Sequence, residues 1–273
     1  MIEPKEPLDE VARRVRRHVV TMAHGSCGPH VGSNLSCVDI LVALYFGALR
    51  VDPDWPEDVE RDRFVLDKGT GTAALYAVLA ERGFFSPDRL CGYALPESGL
   101  PQLPHLRVTP GVDASTGSLA QGFSVAAGMA FAASIWGRSY RTFCLLSDGG
   151  CQEGEVWEAA ATVAGLNLSS LAAIVDDNGW QACSRTREVV GVARLVERWA
   201  AFGWSAREID GHDVHALLDA FEDVPDGTGR PVAIIARTIK GKGVSFMEDD
   251  NRWHYDAPTD AELMAALKEL EAS

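Results

Sequence analysis

Apolar residues recur at helical spacing near the start of the chain. Leu8, Val11, Val15, Val19 and Met22 share one face and predict a helix from Leu8 to His24. A stretch rich in Gly, Ser, Cys and Pro (HGSCGPHVGSN) reads as a loop. A second apolar helix is expected from about Cys37 to Leu49, with Pro53 and Pro56 marking the turn beyond it. Arg63 to Leu66 reads as a short strand running into Asp67-Lys68-Gly69-Thr70-Gly71, followed by a helix through Leu75, Val78 and Leu79. Residues 86 to 117 are rich in proline and glycine and show little periodicity; so long a loop inside a compact domain is commonly functional or disordered. Residues 122 to 137 form a helix of small residues, whose many Ala and Gly permit close backbone approach.

The pattern then changes period. Thr142 to Leu146 is a continuous apolar run, the mark of a strand buried on both faces. It ends at Ser147-Asp148-Gly149-Gly150. A helix is expected from about Glu153 to Leu166, and a second buried strand, Leu171 to Val175, ends at Asp176-Asp177-Asn178-Gly179. Strand, helix, strand implies a right-handed crossover between parallel strands. A further unit follows: strand Ser205 to Ile209, helix Val214 to Phe221, strand Val232 to Ala236. An amphipathic helix from Thr259 carries Leu263, Leu267 and Leu270. The fold class expected is α/β, a doubly wound, mostly parallel sheet flanked by helices.

Composition narrows the function classes. The chain has 273 residues, 47% hydrophobic and 23% charged, which suits one domain over residues 1–273. Its net charge is −14 and no basic stripe stands out, so nucleic acid is not an expected partner. No run approaches the roughly 20 apolar residues that span a membrane, and the N-terminus has no signal-peptide core; a cytoplasmic location is expected. The six cysteines form no CxxC pair and are expected to be reduced and mostly buried. In so acidic a chain, a phosphate-bearing ligand needs local help from a metal, helix N-termini or selected basic groups.

Such help is legible around Asp148 and Asn178. Both follow the carboxyl ends of predicted strands, where open α/β sheets bind ligands, and the thirty positions between them match one βαβ unit. A lone Asp-Gly-Gly caps a helix and a lone Asp-Asn-Gly makes a turn. At this spacing, on this strand pattern, the two supply hard oxygen donors side by side, which suit magnesium or calcium. Gly149 and Gly150 allow backbone N–H groups to approach a phosphate, and the next helix adds its N-terminal dipole.

The segment from Ser147 to Gln181, SDGGCQEGEVWEAAATVAGLNLSSLAAIVDDNGWQ, resembles the thiamine-diphosphate motif, a GDG triplet followed about thirty residues later by Asn. RDRFVLDKG, GVDASTGSLAQGFSVAAGMA, ERWAAFGWSAREIDGHD, PVAIIARTIKGKGVSFME and the late Trp-His extend the likeness over nearly the whole chain. The resemblance is to the transketolase family, and within it to the separate N-terminal, diphosphate-binding subunit of split transketolases. It implies magnesium bound by Asp148, the Asn178 side chain and the Trp180 carbonyl. Thiamine diphosphate would be contacted by Thr70, Gly117, Leu119, Gly149, Gly150 and Asn178. His30, His105 and His254 would meet the donor's hydroxyls, and Glu153 would be the carboxylate that communicates with a partner.

It further implies ketol transfer from a sugar-phosphate-like donor. The family's pyrimidine-binding domain is expected on a second chain, in an α2β2 assembly, with residues 122 to 137 and Glu153 at the interface. The acceptor would be an aldose or something less usual, such as a carrier-bound acyl group. Two alternatives stay open: a 2-oxoacid-decarboxylating subunit, and one that binds the cofactor without turnover. The family's KGH reads Lys68-Gly69-Thr70 here, its GDG reads Ser147-Asp148-Gly149, its TGxLGQG carries Ala120, and its QIDG reads Gln181-Ala182-Cys183-Ser184.

Overall fold

The computed structural model describes residues 6–96, 98–190 and 194–272, so the first five residues of the N-terminal stretch lie outside it. Five parallel strands form its sheet: β1 Arg63–Leu66, β2 Thr142–Ser147, β3 Leu171–Asp177, β4 Ser205–Asp210 and β5 Val232–Arg237. Their spatial order is β1-β2-β3-β5-β4. The helices in chain order are α1 Leu8–Ser26, α2 Val31–Ser36, α3 Val38–Ala43, α4 Thr72–Arg82, α5 Gln121–Trp136, α6 Gly154–Gly165, α7 Thr186–Val189, α8 Leu195–Ala201, α9 Val214–Glu222 and α10 Asp260–Ala272.

The apolar strand runs are explained by burial on both faces. Along β2, Phe143 and Leu145 enter a core with α1, α3, α4, α9 and α10, whereas Cys144 and Leu146 enter a second core with α5, α6 and α8. β3 and β5 divide in the same way, Ile174 and Ile234 against Val175 and Ile235. The chain reverses direction at β4, and β5 returns to lie between β3 and β4. A right-handed connection then requires α9 to cross on the face opposite α6 and α8, as it does. This return sets the loop after β5 beside the loop after β3. Asp148 and Asn178 thus follow strands that are direct neighbours, and the reversal lies one strand further along.

Three local expectations need correction. Half of the HGSCGPHVGSN stretch is helical: α1 runs on to Ser26, and α2 begins at Val31 with every residue buried. Its small residues pack beneath the sheet's carboxyl edge, a tertiary constraint that overrides weak local propensity. The apolar helix starts where expected, just past Cys37, but its α-helical part α3 ends at Ala43 and continues as a π-helical turn over Leu44–Ala48. Only three of the six cysteines are buried; Cys27, Cys91 and Cys183 are exposed, and all are free thiols.

One turn after β5 is unusually tight. Gly241 has φ +82, its N–H donates to the Gly32 carbonyl at 2.9 Å, and a Cβ there would lie 2.0 Å from the Met247 carbonyl oxygen. Gly241→Ala is therefore expected to cost about 2–5 kcal/mol, backbone strain plus overpacking. Gly137→Ala, also at positive φ (+61) but with nothing within 4 Å, should cost only about 1–2 kcal/mol. Denaturant unfolding of the two variants checks the contrast.

Candidate functional site

A cavity of about 470 Å3 opens at the carboxyl edge of β1, β2, β3 and β5. Ten of the residues singled out in the sequence line it: His30, Thr70, Gly117, Leu119, Asp148, Gly149, Glu153, Asn178, Trp180 and His254. The strand register explains the central pair. Ser147 lies opposite Asp176, so the next residues of each strand, with their loops, leave the sheet together.

Asp148 is 2% exposed. Its carboxylate accepts the Gly149 N–H at 2.8 Å, the Gly179 N–H at 3.1 Å and the Thr186 hydroxyl at 2.5 Å. Burial, reinforced by Asp177 and Asp176 and opposed by the Thr186 hydrogen bond, pushes its pKa up to about 7. A buried carboxylate so disfavoured as an anion is a good seat for a cation. The Asn178 side-chain oxygen accepts the Trp180 N–H at 3.0 Å, and among the described residues nothing donates to the Trp180 carbonyl. No cluster of three or more His, Cys, Asp or Glu side chains forms a cage among the described residues. A metal here would draw on one carboxylate, one amide and one carbonyl, leaving most of its shell to a ligand. That donor set fits a hard divalent ion shared with a diphosphate.

The cavity is also equipped for an anion, by residues that sequence reasoning missed. Lys68 is fully buried at the end of β1. Its ammonium donates to the Ser33 carbonyl at 2.6 Å, the Ser36 hydroxyl at 3.1 Å and the Asp176 carboxylate. Burial works against its charge, but Asp176 outweighs it and the pKa rises. Lys240, in the loop after β5, donates to the Asn251 side-chain oxygen at 2.6 Å and approaches His254 Nδ1 at 3.2 Å. Burial, aided by the Lys68 charge, lowers its pKa to about 8. The signal for both lysines was available, a Lys-Gly pair just past the end of a buried parallel strand.

His30 and His254 face each other with ring centroids 4.7 Å apart. Burial, with Lys240 and His30 nearby, lowers His254 to about 3, so it is neutral and its Nδ1 accepts from Lys240. His30 is lowered as well, by burial first. Its Nδ1 and the Gln181 Nε2 are buried without a hydrogen-bond partner among the described residues, and both residues line the cavity. Orphaned polar atoms in a cavity wall are what a polar ligand would satisfy.

Two predicted site residues are placed elsewhere. His105 is exposed on a turn, where its carbonyl accepts from Val108 and Thr109 and its Nδ1 accepts the Arg107 N–H at 3.3 Å. Gln102 and Leu103, from the same long loop, reach the cavity instead. Gly150 does not line it, and its N–H is taken by the Ser147 hydroxyl at 2.9 Å. The serine in place of the family's first glycine thus spends a donor expected to face a phosphate. Ala120, another departure, sits at φ 75, a conformation that glycine adopts without strain. Its N–H and that of Gly122 are held by the buried Asp67 carboxylate, at 3.1 and 2.9 Å.

Comparison with known proteins agrees with this geometry. Residues 9–271 match the family model for the transketolase thiamine diphosphate binding domain. One subunit of an apulose-4-phosphate transketolase from Phocaeicola vulgatus is 36% identical over 268 residues, 97% of this chain and 94% of that protein. A 6-deoxy-6-sulfo-D-fructose transketolase subunit from a Clostridium species is 41% identical over 242 residues, 89% and 88% of the two chains. Among solved structures, a transketolase variant from Pichia stipitis superposes with a TM-score of 0.90 at 25% identity, and the Campylobacter jejuni transketolase with 0.87 at 26%. These cover 98% and 97% of this chain but only 40% and 42% of the solved ones. The chain belongs to the transketolase family and is its thiamine diphosphate binding domain. It spans nearly the full length of relatives that are themselves separate subunits, and about two fifths of the single-chain transketolases.

Lys240 gives the site a pH dependence. Its pKa of about 8 lies below the ordinary lysine value, so its charge is present below pH 8 and lost above it. Affinity for a diphosphate is expected to fall as pH rises from 7 to 9, by about threefold, as the charge behind His254 is lost. The ligand-free chain should move oppositely and gain stability from pH 8 towards 10.5, where the unfolded state binds the extra proton. Calorimetric titration with thiamine diphosphate and magnesium, compared with Lys240→Met, checks this; the variant should bind weakly at every pH with the step flattened.

Proposed function

We propose that this chain is the diphosphate-binding subunit of a two-component transketolase that transfers a two-carbon ketol unit from a sugar-phosphate-like donor. The observation that carries the reading is the convergence of Asp148, Asn178 and the unpartnered His30 nitrogen on one cavity, with Lys240 behind it in contact with His254 of the cavity wall.

Thiamine diphosphate, when bound, supplies a nucleophilic carbon and an electron sink for breaking a bond next to a carbonyl. Asp148, the Asn178 amide oxygen and the Trp180 carbonyl would hold magnesium against the diphosphate. Lys240 would offset its charge, taking over in part from the family histidine that Thr70 replaces. Gly149 offers close backbone approach, while Gly117 and Leu119 form the opposite wall. His254, neutral at physiological pH, and His30 are suited to hydrogen-bond a donor hydroxyl without competing for its proton. The acceptor is left open between an aldose and a carrier-bound group.

A second chain supplying the pyrimidine-binding domain, in an α2β2 assembly, is part of this reading. An uncovered apolar face supports it. Ile135 and Trp136 at the end of α5 are 64% and 70% exposed, and a groove between α5 and α6 is lined by Phe131 and Leu166. Glu153, exposed at the cavity rim, lies on the same side of the sheet. One domain over residues 1–273 is consistent with a sheet flanked by cores on both faces. Among the described residues no helix is long and apolar enough to cross a membrane.

The test uses this chain with its partner, magnesium and thiamine diphosphate, given a ketose phosphate and an aldose. Release of a product two carbons shorter than the donor, at least about 100-fold reduced in Asp148→Ala, is the expected result. Carbon dioxide from pyruvate would instead assign the decarboxylating alternative, and bound cofactor with neither product would assign a non-catalytic subunit. Separately, Trp136→Glu should weaken association with the partner by about tenfold or more in sedimentation analysis, leaving the fold intact.

A further inference from the structure

The loop that carries the proposed metal ligand Trp180 is tied down on two sides. Residues 179–186 form a hairpin, with Trp180 and Arg185 bridged, the Gln181 N–H donating to the Ser184 carbonyl at 2.9 Å and the Thr186 N–H to the Gly179 carbonyl at 3.0 Å. On one side the Thr186 hydroxyl reaches Asp148. On the other the loop is tied to residues 249–251, after β5. Trp180 donates its indole N–H to Asp249 Oδ1 at 2.8 Å. Arg185 grips both Asp249 oxygens at 2.6 Å and lies 3.7 Å over the Trp180 ring. Asn251 donates to the Ala182 carbonyl at 3.1 Å and accepts from Lys240. Asp249 itself sits at φ 58, with its N–H on the Lys240 carbonyl at 2.8 Å.

We infer that Asp249 is a positioning residue, a latch that fixes the loop carrying the Trp180 carbonyl and sets it in register with the loop carrying Lys240 and His254. The inference rests on the cofactor reading above. The physical case is the bidentate geometry: an exposed single ion pair contributes little, but a planar guanidinium gripping both carboxylate oxygens while stacked on an indole specifies one arrangement. Trp180 thereby takes part twice, through its carbonyl toward the cavity and its ring toward the latch. Opening the latch would release the metal ligand and the Lys240 support together, because Asn251 belongs to both.

Asp249→Asn keeps a residue tolerant of positive φ and an acceptor for Trp180, but loses the ion pair. Arg185→Gln removes it from the other side. Two readouts separate the latch from the cofactor. In the cofactor-free chain, trypsin cleavage after Arg187 is expected to accelerate by about fivefold or more in either variant, and no further in the double variant. In the chain with its partner, half-saturating magnesium and thiamine diphosphate should rise about tenfold, with turnover at saturation within about twofold of wild type. Unchanged cleavage at Arg187 overturns the latch. Faster cleavage with unchanged cofactor affinity overturns its role in setting the metal loop. If wild type binds no thiamine diphosphate while cleavage still responds, the latch stands and the cofactor reading fails.

Discussion

The site depends on one buried ion pair, Lys68 with Asp176. Both side chains are almost completely inaccessible to solvent. Taking two charges out of water costs several kcal/mol each, so the pair persists only because further hydrogen bonds satisfy it. Those bonds tie three segments around the cavity together: Ser33 and Ser36 on α2, Thr238 after β5, and Asn178 after β3. The pair also orients the amide. Asp176 and the Ser36 oxygen face the Asn178 nitrogen, so the amide oxygen points the other way, toward the Trp180 backbone N–H.

Around that pair the electrostatics are divided by role. The chain as a whole is acidic, with a net charge of −14, yet two buried lysines adjoin the cavity. Lys68 is bound to a carboxylate and fixed as a cation, whereas Lys240 contacts no carboxylate among the described residues and its pKa is lowered to about 8. Asp148 is the counterpart, a buried carboxylate whose raised pKa marks an unmet need for a cation. A diphosphate bound together with a divalent metal would match both, a cation beside Asp148 and an anion near Lys240.

The same economy shapes the backbone. The loop after β3 brings Asn178 and Trp180, the loop after β5 brings Lys240 and His254, and Asp249 and Asn251 join the two. The long loop between α4 and α5 folds down over them, holding Leu103 over Gly69 and Gly117. Beside the cavity, α5 presents apolar residues that none of the described residues covers, consistent with a domain that works beside a second polypeptide.

Much of this was determined by sequence alone. The buried strands announced themselves as unbroken apolar runs, because parallel strands are covered on both faces. Asp148 and Asn178 could be paired because a βαβ unit has a characteristic length. Residues whose role is set by distant neighbours were not legible. Lys68 and Lys240 look like surface lysines until the sheet order puts the ends of β1, β3 and β5 together. α2 carries no periodic signal, since all of its residues are buried. His105 matched a motif, yet the turn that holds it faces outward. Local chemistry is written in residue types and spacing; which groups meet was decided by the return of β5 between β3 and β4, a long-range packing choice that no short window of sequence contains.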